Sequence, residues 1–125
     1  MTRVADRLPA LAGLIDFRNR ADLKERCGAL LPSANRQISI LGSTALGTAA
    51  GALPWCAEDA GVGMVSRGEV VIVGDVRLDN RVVLASELGT PWGQSDCEVL
   101  LAAWLRWGPA AVDRLRGDYV FALWS

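Results

Sequence analysis

The feature that most constrains this chain is Val70-Val71-Ile72-Val73, four consecutive β-branched residues. It follows Arg67-Gly68 and runs directly into GDVRLDNR at residues 74–81. β-Branched side chains suit a pleated sheet and lose rotamer freedom in a helix, so Glu69–Val76 reads as a strand. Arg67-Gly68 then reads as a hairpin turn back to a second strand, Val62–Ser66. The exit of this hairpin holds two acids and two bases in eight residues. It is either a working site at a strand end or a well-made strand-to-helix turn.

The rest of the chain supplies further elements. Leu11–Phe17 is a short apolar run that reads as a buried strand. Asn19 is placed to cap a helix over Ala21–Leu31, with Leu23, Cys27, Leu30 and Leu31 on one face and Pro32 ending it. Gln37–Ile40 alternates polar and apolar, and Thr44–Thr48 reads as its returning partner beyond Gly42. Residues 49–61, rich in Ala, Gly and Pro, read as a loop, as do residues 91–94. Asp79 or Asn80 is expected to cap a helix to Leu88, with Gly89 as its stop. Ser95-Asp96-Cys97-Glu98 has the capping-box pattern and opens a helix over Asp96–Trp107, with Val99, Leu100, Ala103 and Leu105 inward. Gly108-Pro109 separates it from a short helix, Ala110–Leu115. Asp118–Trp124 is a last, apolar strand. This mixed order predicts an α+β layered domain rather than regular βαβ alternation.

Composition narrows the function classes. The chain has 125 residues, about one domain, and 51% are hydrophobic, which is enough for a packed core. Thirteen basic and fourteen acidic residues leave a net charge of −1. That balance gives no electrostatic case for nucleic acid or an anionic membrane. No apolar run approaches the ~20 residues of a membrane span. The N-terminus lacks the long apolar region and cleavage site of a secretory signal, so a cytoplasmic protein is expected. There is no histidine, and the cysteines are Cys27, Cys56 and Cys97, widely spaced and without a CxxC pair. This argues against zinc and excludes Ser-His or Cys-His catalysis within the chain. Free buried thiols are the plain reading of the cysteines.

Three stretches carry a resemblance: LAGLIDF, GDVRLDNRVVL and SDCEVLLAAWLRWGPAAVDRLRGDYVFALW. In order and spacing they resemble the N-terminal class II glutamine amidotransferase domain of asparagine synthetases. The wording is closest to the lasso-peptide cyclases, and the β-lactam synthetases are similar. The resemblance implies an N-terminal-nucleophile hydrolase-like sandwich of two sheets flanked by helices. It divides the chain into an extension over residues 1–10 and the domain over residues 11–125, which is expected to be incomplete at its C-terminal end. It also implies that active members use an N-terminal cysteine to release ammonia from glutamine for a second, ATP-dependent domain.

Carried over residue by residue, the resemblance points to loss of that activity. The nucleophile's position falls on Ala12, whose methyl group cannot attack a carbonyl. The glutamine-clamping arginine has no counterpart after Leu46-Gly47. The Asn-Gly-Glu that supplies the oxyanion hole and a substrate contact aligns with Asp75-Val76-Arg77, and an aspartate there repels an oxyanion. Asp96 alone matches, where active members hold the glutamine amine. The substrate-binding candidates are therefore Asp96, Asp75 and Arg77, with no metal site. Against them stand structural roles: an Asp75–Arg77 ion pair or a contact with another domain, and Asp96 favouring a helix dipole.

The expected function is a degenerate amidotransferase-like domain of an asparagine synthetase-type, amide-forming enzyme, with a structural or peptide-binding role. No cofactor is expected in this chain, since ATP and Mg belong to the synthetase domain. The expected partners are that domain, in cis or in trans, and a precursor peptide, with self-association through the terminal strand as a further possibility. The alternatives are a stand-alone binding module acting in trans, a truncated remnant, and a glutaminase using one of the three cysteines. Cys97, near a helix N-terminus, is the best placed of these.

Overall fold

The computed structural model describes residues 10–16, 21–31, 36–49, 62–90 and 95–125. Asn19, Pro32, Cys56, most of the loop over residues 49–61 and the loop at 91–94 lie outside the described residues, as do residues 1–9. Ala10, assigned to the extension, already opens a strand.

The elements run in the order β1 (Ala10–Ile15), α1 (Leu23–Ala29), β2 (Arg36–Leu41), β3 (Thr44–Ala49), β4 (Val62–Arg67), β5 (Val70–Leu78), α2 (Arg81–Leu88), α3 (Asp96–Trp107), a 3-10 helix (Gly108–Arg114) and β6 (Gly117–Trp124). They build two antiparallel three-stranded sheets, ordered β1-β3-β2 and β4-β5-β6. The α+β two-sheet arrangement expected from the sequence is the one observed.

The core explains the layering. Leu46 of β3 packs against Val71 and Val73 of β5, joining the two sheets face to face. On the outer face of the first sheet, Ala45 packs with Leu23 and Cys27 of α1. On the outer face of the second, Ile72, Val76 and Leu78 pack with Val99, Leu100 and Leu101 of α3. The four-residue β-branched run therefore serves two layers at once. Its odd positions, Val71 and Val73, meet the other sheet and its even positions, Val70 and Ile72, meet the helix side, as the two-residue period of a strand requires.

The hairpin forms as its sequence predicts. Arg67 pairs with Val70, leaving Gly68 and Glu69 as the two-residue turn, and Gly68 has a positive φ of 60°. The capping box is complete. The Ser95 Oγ accepts from the Glu98 N–H at 3.2 Å, and the Glu98 carboxylate accepts from the Ser95 N–H at 2.7 Å.

Several expectations need correction. The described part of the LAGLIDF run is only half-buried, with Gly13 and Ile15 exposed, and among the described residues β1 is an edge strand paired to β3 alone, while Phe17 lies outside them. Leu30 falls beyond the end of α1 and is 60% exposed. Leu105 of α3 is 44% exposed, on the side of the helix away from β5. Asn80 precedes α2, but its side chain makes no cap hydrogen bond. Instead its amide donates to the Arg114 carbonyl at 2.9 Å and its oxygen accepts from the Arg116 N–H at 3.0 Å. The Asp79 N–H also donates to the Arg116 carbonyl, at 2.8 Å. The turn after β5 is thus stitched to the entry of β6.

Candidate functional site

The charged exit of β5 becomes one wall of a groove. Asp75 and Arg77 follow Val71 and Val73 at two-residue spacing, so all four lie on the same face of the strand. Val71 and Val73 are buried between the sheets, and Asp75 and Arg77 continue that face toward its open end. The register sets Asp75 opposite Val120 and Arg77 opposite Asp118 of β6. These residues and Tyr119 line an open cavity of about 370 Å³.

Asp75 and Arg77 are thus brought together, but they form no ion pair with each other or with any other described residue. The expected Asp75–Arg77 pair is corrected on this point. Arg77 is exposed and Asp75 half-buried, and an ion pair at such a site contributes too little to hold the two side chains together. Asp118, Tyr119 and Val120 were not singled out in the sequence. Their strand was legible, but its pairing with β5 was not.

Asp96 does not line the groove. It is the first residue of α3, and its Oδ2 accepts from the Leu78 N–H at 2.9 Å. Its Oδ1 is buried without a hydrogen bond, and its charge is met by the Arg81 Nε at 3.4 Å. Asp96 therefore braces the end of β5 against two helices. Ala12 lies elsewhere again. It pairs with Gly47 and packs on the α1 side of the first sheet, with Leu23, Cys27 and Ala45. The groove lies on the second sheet, on the face that meets the first, so Ala12 and the Asp75–Arg77 face are on opposite sides of the first sheet.

The described cysteines are poor nucleophiles. Cys27 is fully buried, and burial pushes its thiol up. The Cys97 thiol is pushed up to about 11 by burial and then by the carboxylates of Asp96, Asp75 and Glu98. A hydrogen bond with the Gly63 backbone pulls the other way but does not reverse the direction. The helix N-terminus that makes Cys97 the best-placed thiol in the sequence is outweighed by burial and then by these acids. Among the described residues, no group of three or more His, Cys, Asp and Glu side chains could hold a metal ion.

The raised Cys97 thiol makes stability depend on alkaline pH. Its folded value lies above its ordinary 9.0, so the native state holds the proton longer than the unfolded chain does. The contribution is fully present below pH 9 and is lost as pH rises toward about 11. Relative to Cys97→Ala, the native chain is expected to lose about 2 kcal/mol over that interval. Urea unfolding of both proteins across the interval measures it, and parallel pH profiles would contradict it.

Two facing antiparallel sheets with helices outside, and a groove at the open end of the second sheet, define an α+β sandwich domain. A family profile described as a glutamine amidotransferase domain matches residues 28–125, so the chain belongs to that family. The matched residues include the groove, Asp96 and all of α3. The LAGLIDF segment and Ala12 lie outside them. No curated protein matches the chain. Among the described residues, no helix is long and apolar enough to cross a membrane.

Proposed function

We propose that this amidotransferase domain does not hydrolyse glutamine. It serves an asparagine synthetase-type, ATP-dependent enzyme that forms amide bonds, of the lasso-peptide cyclase kind. Its role there is to bind the peptide substrate or to pack against the synthetase domain, which carries ATP and magnesium. The observation that supports this reading is the environment of the candidate nucleophiles. Ala12 has no reactive group and is packed beneath α1, while Cys27 and Cys97 are buried with raised pKa values. The family's reaction needs an accessible thiol or hydroxyl activated by a base, and the described residues that line the groove include no cysteine, serine or threonine. A module acting in trans is the second reading. It is favoured by β6, which among the described residues pairs only with β5 and so offers one edge to a partner.

Ammonia release from glutamine tests the proposal. The chain is expected to release none above the buffer rate. Ala12→Cys is also expected to release none, because position 12 faces α1 rather than the groove. Sustained release by the native chain would overturn the reading. Release by the variant alone would show that position 12 reaches the substrate after all.

A further inference from the structure

We propose that the first layer of this sandwich, the sheet β1-β3-β2 with α1, opens as a unit while the second layer stays folded. The seam between the sheets, weakened by two buried threonine hydroxyls, is where they part. This goes beyond the proposed function and does not depend on it.

The course of the chain permits such an opening. The elements of the first layer lie within residues 10–49 and those of the second within residues 62–124, so neither layer is threaded through the other. Each layer has its own core. Leu23, Cys27 and Ala45 hold α1 to the first sheet. The larger second core includes Ile72, Val76, Leu84, Val99 and Leu100. Polar ties also fall within layers. Asp16 meets Arg26 at 2.6 Å in the first. In the second, Asp96 accepts from the Leu78 N–H, and Asn80 is bonded to Arg114 and Arg116.

The seam between the layers is a smaller contact. Thr44, Leu46 and Thr48 alternate along β3 and share the face that meets the second sheet. Leu46 packs there against Val71 and Val73. Thr44 and Thr48 are buried on either side of it, and their hydroxyls have no hydrogen-bond partner among the described residues. A buried hydroxyl without a partner loses its water and gains nothing in return. Parting the sheets hydrates both hydroxyls, which offsets the exposure of Leu46, Val71 and Val73. Once parted, the first layer keeps one short helix and a small core, too little to stay folded alone. It therefore opens as one cooperative unit. Opening also uncovers Val71 and Val73 in line with Asp75 and Arg77, so the groove lengthens into a strip along β5.

The test uses the whole 125-residue chain and two of its own thiols. Cys27 lies in the first core and Cys97 in the second, and both are buried. The folded protein is exposed to excess iodoacetamide at about pH 8, near the ordinary range of a thiol, and each cysteine is followed by peptide mass spectrometry. Cys27 is expected to be modified about 100-fold faster than Cys97, because Cys97 alone waits for global unfolding. Thr44→Val and Thr48→Val keep the shape without the hydroxyl, and each is expected to slow Cys27 about fivefold. Val99→Ala trims the second core and is expected to speed Cys97 about tenfold while leaving Cys27 unchanged. Equal rates at the two thiols of the native chain would show one cooperative unit and overturn the proposal. A fast Cys27 that ignores both threonine substitutions would also overturn it, since fraying of α1 alone then exposes the thiol. So would a Cys27 rate that rises together with that of Cys97 in Val99→Ala.

Discussion

Gly117→Ala is expected to destabilise the domain by at least about 3 kcal/mol. Gly117 opens β6 opposite Leu78, with a φ of 139°, a conformation that L side chains rarely adopt. A Cβ built there collides with the Arg77 carbonyl oxygen and lies 3.1 Å from the Asp79 amide nitrogen. Both are backbone atoms, one at the end of β5 and one in the turn to α2, so no side chain can swing away to make room. Either β6 shifts its register or the turn moves. In both cases the bonds from Asn80 to Arg114 and Arg116 are disturbed, and Asp118 leaves its place opposite Arg77. Urea unfolding of the variant measures the cost. A loss below about 1 kcal/mol would mean that the close approach at Gly117 is absent in solution.

Leu100→Ala is expected to be about as severe, at roughly 3–4 kcal/mol. Leu100 is fully buried in the cluster that holds α3 against β5 and α2. The hole left behind is bounded by a strand and two helices, so it cannot collapse by moving a single side chain. Against a total stability of about 5–15 kcal/mol for a domain of this kind, the change would leave a large unfolded fraction on warming. Calorimetry gives the shift in melting temperature. A near-neutral result would show that α3 is not seated on the second sheet.

How much of this was legible in the sequence depended on the range of the interaction. The Val70–Val73 run and the Gly68 turn are local, and they fixed the β4–β5 hairpin. The capping box at Ser95 and Glu98 is also local, and it placed the start of α3 to the residue. Burial was less legible. Leu30 and Leu105 are as apolar as their neighbours, and only the position of the next layer decides that they face solvent. Long-range pairing was not legible at all. Asn80 looked like a helix cap because asparagine before a helix usually is one. Its partners lie 34 and 36 residues further along the chain, beyond the reach of any local pattern. The groove has the same character. Asp75 and Arg77 stood out as a charged strand exit, but Asp118 and Val120 join them only through register. Asp96 was legible as a helix-start residue, whereas its bond to Leu78 depends on how α3 meets β5.

The stitch between Asn80 and Arg116 also bears on the order in which the molecule is made. Asp75 and Arg77 belong to a hairpin that can form as soon as residue 78 has left the ribosome. Asp118 is synthesised forty residues or so later, after α2 and α3 have had time to fold. One wall of the groove therefore exists before the other. During that interval β5 is an edge strand on both the emerging chain and the half-built sheet. Closing it requires the chain to return across a long loop, which is slower than any of the local steps. The two walls of the groove thus come together late in synthesis, when β6 locks into register against β5.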